Sequence, residues 1–201
     1  MTTLRELDGT DRYRASLRNA VRGVWNSAID YDQFFDVMLM TVRRFLTMAW
    51  QEGAKECGVL LSDMSPEERI ALEQAIAYEN QWIAGLGNAA EEGSRANGGM
   101  LTPLYVRLET WIGRYKGVRD KAKTMSCGDK KLKWVQGPTE KSCSSCSKLN
   151  GKVKRASYWN RVGVLPRVHG SPYLACNGFR CQCELLVTDE PCSPGPLPSL
   201  P

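Results

Sequence analysis

The chain has 201 residues, 42% of them hydrophobic, and a formal net charge of +5, which suits one or two compact domains with a buried core rather than an extended array. Its first eight residues, Met1 to Asp8, carry acidic side chains and no apolar stretch of signal-peptide length, and no run of about 18 apolar residues follows. These features predict a chain that folds in a cytoplasm and has no membrane partner.

Up to about residue 125, apolar residues recur at three- and four-residue intervals and prolines stand only at helix starts, which predicts about four helices. The first covers Arg12 to about Ile29. The second covers Tyr31 to about Cys57, with Phe34, Met38, Val42, Phe45 and Ala49 in one stripe and Gly58 as its stop. Ser65-Pro66-Glu67-Glu68 opens the third, because Ser65 can cap, Pro66 fits the first turn and Glu68 can reach back. Leu72, Ala75, Ile76, Ile83 and Leu86 continue its register, and Gly85 and Gly87 weaken its end. Gly93 to Met100 reads as a loop, after which Thr102-Pro103 opens a fourth helix through Leu104, Leu108, Trp111, Ile112, Tyr115 and Val118.

Near Ser126 helical periodicity stops, glycines and prolines multiply, and β-like pieces appear at Leu132–Val135 and Glu184–Val187. The predicted fold is α+β: a helical domain over 1–125, then a small β and loop module over 126–190. Residues 191–201, which include Pro191, Pro194, Pro196, Pro198 and Pro201, read as an extended, mobile tail.

Five of the eight cysteines lie in the second unit: Cys143-Ser144-Ser145-Cys146, then Cys176, Cys181 and Cys183. Two cysteines separated by two small residues can set both sulfurs on one tetrahedral ion, and a second pair must come from elsewhere. In a reducing compartment such clusters hold metal more often than they form disulfides. Zinc is the expected occupant, in a structural role; an iron–sulfur cluster uses the same atoms. Cys143, Cys146, Cys181 and Cys183 form the first candidate set. Cys176 is an alternative to Cys183, and His169, the only histidine, is a further candidate in the Pro166–Pro172 loop. Cys57, Cys127 and Cys192 read as free thiols.

From Arg114 to Arg155 basic residues greatly outnumber the acidic Asp120, Asp129 and Glu140. That bias fits a solvated helix face and loop, or contact with phosphates or an acidic protein.

The run Lys133-Trp134-Val135-Gln136-Gly137-Pro138-Thr139-Glu140-Lys141-Ser142-Cys143-Ser144-Ser145-Cys146, with Leu149-Asn150-Gly151-Lys152-Val153, Trp159, Gly163 and Cys181-Gln182-Cys183, resembles the C-terminal module of phage head morphogenesis proteins, the Mu F-like minor head proteins. In that family the cysteine module follows a helical region, an order found over nearly the whole of this chain. The family often has a histidine shortly before its last two cysteines; Cys176 precedes them here. The resemblance implies a minor virion component, assembled in the bacterial host cytoplasm, that associates with the portal and other head proteins during capsid assembly and DNA packaging or ejection. It implies no reaction and no small-molecule substrate, and it admits contact with phage DNA.

The alternative from the residues themselves is a zinc module that binds nucleic acid, with the basic run on phosphates and Trp134, Tyr158 and Trp159 as stacking surfaces. An enzyme is not expected: a thiol nucleophile needs a base, His169 is the one candidate, and no carboxylate is placed to orient it. Glu67-Glu68 and Glu91-Glu92 read as exposed helix charges.

Overall fold

The computed structural model describes residues 8–138, 142–179 and 181–201. Thr139, Glu140 and Lys141 of the cysteine-module run, and the first seven residues of the N-terminus, lie outside the described residues. The chain is mostly helical with a small antiparallel sheet and a cysteine-rich C-terminal region, which is α+β in outline. The helices are α1 (Gly9–Trp25), α2 (Tyr31–Lys55), α3 (Pro66–Asn80), α4 (Ile83–Glu92), α5 (Leu101–Ser126), α6 (Ser144–Leu149) and α7 (Ala156–Val162). The strands are β1 (Lys131–Val135), β2 (Val153–Arg155) and β3 (Glu184–Val187).

Two compact units are present, but their boundary differs from a single cut at residue 125. One comprises residues up to Met48 with Glu73–Tyr115, and the other Ala49–Leu72 with Lys116–Pro201. The second unit recruits the end of α2, the start of α3 and the end of α5 because those segments are joined to one another inside it. Gly53 of α2 sits so near α5 that a Cβ there would lie 2.2 Å from the Arg119 carbonyl oxygen. Cys57 and Cys127, expected to be free thiols, form a disulfide with their Cα atoms 5.0 Å apart, within the range such a bridge spans.

In the first unit the predicted third helix is two. Asn80 ends α3, and the chain turns through Gln81 and Trp82, where Trp82 N–H donates to the Glu79 carbonyl at 3.2 Å. Gly85 and Gly87 therefore lie inside α4. Gly87 is needed there: a Cβ would meet the Tyr31 ring at 2.8 Å and the Phe34 ring at 3.0 Å. Tyr13 of α1 is buried between Phe45 and Tyr115, with ring centroids 5.2 and 6.1 Å away. Arg114 lies buried against Glu79, its Nε 2.6 Å from Oε1.

In the second unit the capping box forms as expected: Glu68 N–H donates to Ser65 Oγ at 3.2 Å and Ser65 N–H to Glu68 Oε2 at 2.9 Å. Glu68 is buried rather than exposed, because its other oxygen accepts from the Ser126 hydroxyl. The sheet order is β2-β1-β3, both pairings antiparallel, with Leu132 opposite Lys154 and Val187, and Trp134 opposite Leu185. Leu132 and Trp134 point inward on the central strand, as a period of two requires. Trp159 of α7 packs on Trp134 with centroids 5.8 Å apart and donates its indole N–H to the Leu132 carbonyl at 3.0 Å.

Both edges of this sheet are partly covered. On the β2 side Ser193 N–H donates to the Val153 carbonyl at 2.9 Å, while Val153 N–H donates to Ser193 Oγ at 3.0 Å. Lys154 Nζ donates to the carbonyls of Ser193 and Gly195, Lys148 Nζ to that of Ser199, and Leu197 and Leu200 pack on the module core. The proline-rich tail, expected to hang free, is tied down because the prolines leave Ser193 and several carbonyls available for bonding. On the β3 side α5 lies along the edge, where Lys123 Nζ donates to the Leu185 carbonyl at 2.9 Å. These contacts occupy ladder positions at Val153 on one edge and at Leu185 on the other.

These contacts also correct the reading of the basic run as one exposed face. Arg114, Lys123 and Lys154 are buried, Lys123 sits 2.9 Å from Glu56, and Arg119 lies 3.3 Å from Glu184. Lys133 pairs with Glu190 at 2.6 Å.

Candidate metal centre

The knuckle begins where β1 leaves the sheet and the chain turns into α6. Cys143 caps that helix, and its Sγ accepts from Cys146 N–H at 3.3 Å. The helical turn puts both sulfurs on one side, with Cys146 buried in the module core and Cys143 half-exposed. Gly151, at φ +78°, then reverses the chain so that its N–H reaches the Trp134 carbonyl at 2.9 Å, which anchors the knuckle to β1.

The other sulfurs arrive on two turns of the segment before β3. Cys176 sits on a tight turn through Asn177 and Gly178, closed by Phe179 N–H on the Cys176 carbonyl at 2.9 Å. Gly178 is required there twice over: its φ is +74°, and a Cβ would lie 2.0 Å from the Val168 carbonyl oxygen. Ser145 holds this turn to the knuckle by accepting from Ala175 N–H at 2.9 Å. Cys181 and Cys183 occupy the last approach to β3, and both are buried.

All five predicted thiols converge. Cys143, Cys146 and Cys176 form one group, and Cys146, Cys181 and Cys183 another, with the ligand atoms in each within 4.8 Å of one another. Cys146 is the shared vertex, its Sγ 3.9 Å from that of Cys181. The choice between Cys176 and Cys183 is therefore not made by distance, since each belongs to a group. His169 belongs to neither; its ring stacks on Phe179 at 4.9 Å. Cys192 lies exposed on the tail.

Backbone amides are aimed at these sulfurs. The N–H groups of Gly178, Gly137 and Arg167 point at Cys176, Cys183 and Cys181, and those of Cys146 and Cys176 both point at Cys143. Hydrogen bonds donated by Cys146 and Cys183, with the amide of Arg167, hold the Cys181 thiol well below its ordinary pKa. Cys146, which donates to Cys181 and Cys183, is pushed well above it. At Cys143 burial raises the thiol, but the Cys146 amide and its neighbours outweigh that and leave it lowered. Amide donors at sulfur favour the thiolate, which is the metal-binding form. Five clustered thiols with amides supplied to four of them are a donor set that can hold a soft or borderline ion.

Three charged residues that sequence reasoning missed support the last approach. Arg167, at φ +59° and only 3% exposed, donates from Nε to the Cys181 carbonyl at 3.1 Å and from Nη2 to the Gln182 carbonyl at 2.7 Å. Its Nη1 lies 3.5 Å from Asp120 Oδ2, and Lys123 Nζ 3.6 Å from Asp120 Oδ1. Burial pushes the Asp120 carboxyl up to about 6, against the pull of Lys123, Arg167 and Arg119. The available signal was Asp120 and Lys123 following an apolar register on α5, which argues for buried partners rather than solvent.

No family model, curated protein or solved structure matches this chain.

Proposed function

We propose that the chain is a structural minor head protein of a phage or prophage, in which a helical region engages portal or other head proteins and a zinc-stapled module fixes the C-terminal part. The observation that carries this reading is the cysteine module: the run from Lys133 to Cys146, the Leu149-Asn150-Gly151 turn and Cys181-Gln182-Cys183 resemble the head-morphogenesis family. The described residues of those segments lie in one compact thiol-centred unit, where the Gly151 N–H bonds the Trp134 carbonyl and Trp159 packs in the core. Zinc, tetrahedral and without redox chemistry, suits a closed sulfur site that leaves no open position for water. On this reading the protein carries out no reaction, takes no small-molecule substrate and resides in the virion after assembly in the host cytoplasm. None of the helices among the described residues is long and apolar enough to cross a membrane.

Much of the basic run is engaged within the chain rather than offered to DNA. Arg114, Lys123 and Lys154 are buried, while Lys131, Lys133 and Lys148 bond to carbonyls or a carboxylate of the same chain. Co-expression with the portal and major capsid proteins of the same genome, followed by gradient sedimentation, tests the main reading. The chain should travel with assembled heads in a few copies per particle. Its quantitative recovery at the top of the gradient, with heads assembled, overturns the proposal.

A further inference from the structure

We infer that Arg167, clamped by the buried Asp120 and Lys123 of α5, is the positioning residue that sets the Cys181–Cys183 ligand arm. The inference rests on the metal-site part of the reading above.

A ligand arm without regular structure must be held by something other than a ladder. From Cys181 to Leu185 the backbone is gripped on one side by two charged groups. Arg167 takes the Cys181 and Gln182 carbonyls, Lys123 takes the Leu185 carbonyl, and Asp120 lies against both cations. These bonds bracket both Cys181 and Cys183. Arg167 thus holds the carbonyl of one ligand and that of the residue between the two.

Its conformation is over-determined. A side chain at φ +59° is uncommon, and the α5 backbone is packed closely against it: a Cβ on Gly117 would lie 3.1 Å from the Arg167 carbonyl oxygen. Asp120 is fully buried and supplies the counter-charge for both cations. Glu56, 2.9 Å from Lys123, and Asp120 together balance Lys123 and Arg167, so the clamp is neutral overall, and its guanidinium end lies on the arm that carries a cluster whose form with four thiolates on a divalent ion is doubly negative. A fixed guanidinium near such a site stabilises the thiolates and orients the arm, the role outer-shell partners play at metal centres. A planar fork that spans two carbonyls is a task for arginine, which lysine does not reproduce.

The test compares the full-length chain with Arg167→Met, Arg167→Lys and Asp120→Asn, each loaded with zinc or cobalt(II). Zinc affinity is read by competition with a chromophoric chelator, and cobalt by its thiolate charge-transfer and d–d bands. Arg167→Met should weaken zinc binding about 10- to 100-fold and alter the cobalt band shape, with Arg167→Lys between it and the unaltered chain. If Arg167→Met does not fold, Asp120→Asn, which keeps the size but removes the charge and turns one of the two acceptor oxygens facing Arg167 and Lys123 into a donor, should still weaken zinc binding several-fold. A merely structural role moves the melting temperature but leaves the cobalt spectrum alone. Unchanged affinity and spectrum in the folded variants overturn the positioning role while leaving the metal site in place. An unaltered chain that binds neither ion overturns the metal reading and this inference with it.

Discussion

Replacing Gly137 by alanine tests how closely the exit of β1 and the ligand arm are packed. A Cβ at Gly137 would lie 2.1 Å from the Gln182 carbonyl oxygen and 2.6 Å from Gln182 Cβ. Ordinary contacts begin at about 3.5 Å, so one segment must retreat by roughly an ångström. Neither side yields easily: Gln182 is flanked by two cysteines of the cluster, its carbonyl is held by Arg167, and the Gly137 amide is aimed at the Cys183 sulfur. Overpacking of this kind typically costs about 1–3 kcal/mol, and the backbone on both sides puts this case near the upper end, about 3 kcal/mol. Two other glycines separate sterics from backbone strain. Gly151 has φ +78° with open space around it, so Gly151→Ala should cost only about 1–2 kcal/mol from the left-handed conformation. Gly85 lies within α4 with nothing near its Cβ, so Gly85→Ala should stabilise by about 0.5–1 kcal/mol. Urea unfolding followed by circular dichroism gives all three values. A Gly137→Ala protein within about 0.5 kcal/mol of the parent, or no worse than Gly151→Ala, refutes the packing argument.

Removing the ion with a chelator should unfold residues from about 130 to 190 while most helical signal persists, as read by hydrogen exchange and far-ultraviolet circular dichroism; loss of both together contradicts the expectation. Opening the Cys57–Cys127 bridge, whose cysteines are 70 residues apart, should cost up to about 4 kcal/mol by loop-closure entropy, measured as the difference in unfolding free energy between the chain and Cys57→Ser. Asp120 gives a pH signature. A carboxyl whose folded pKa is raised takes up its proton more readily when folded, so its contribution is fully present below about pH 4 and is lost as pH rises through about 6. At about 1.4 kcal/mol per pKa unit, the displacement from 3.8 to about 6 corresponds to about 3 kcal/mol. That pH-dependent component should be missing from Asp120→Asn, and an identical pH profile for the two proteins contradicts it.

Elements whose pattern is local were legible in the sequence. The Ser65 capping box, the breaks before Tyr31 and Leu101, and the strands at 131–135 and 184–187 follow from caps, prolines and alternation. The convergence of Cys143, Cys146, Cys176, Cys181 and Cys183 also follows from their clustering along the chain. What escaped depends on distant partners. The register of α5 argues for burial of Asp120 and Lys123, but nothing near Lys123 announces that Glu56 and the Leu185 carbonyl will surround it, and a count of charges alone puts it in solvent. The six-residue α6 is too short for a period to register, and β2 is set by its register with β1. The Cys57–Cys127 pair joins positions far apart in sequence, and the prolines of the tail carry no sign of the contacts that Ser193, Leu197 and Leu200 make.

Elemental analysis of the purified chain, combined with counting of alkylatable thiols before and after denaturation, tests the metal-stapled module most directly. The account predicts about one zinc ion per chain, protection of the clustered thiols while Cys192 reacts, and a drop to near zero metal in Cys146→Ser, because Cys146 belongs to both groups. A chain that carries no metal, with its clustered thiols alkylated as fast as Cys192, would contradict it.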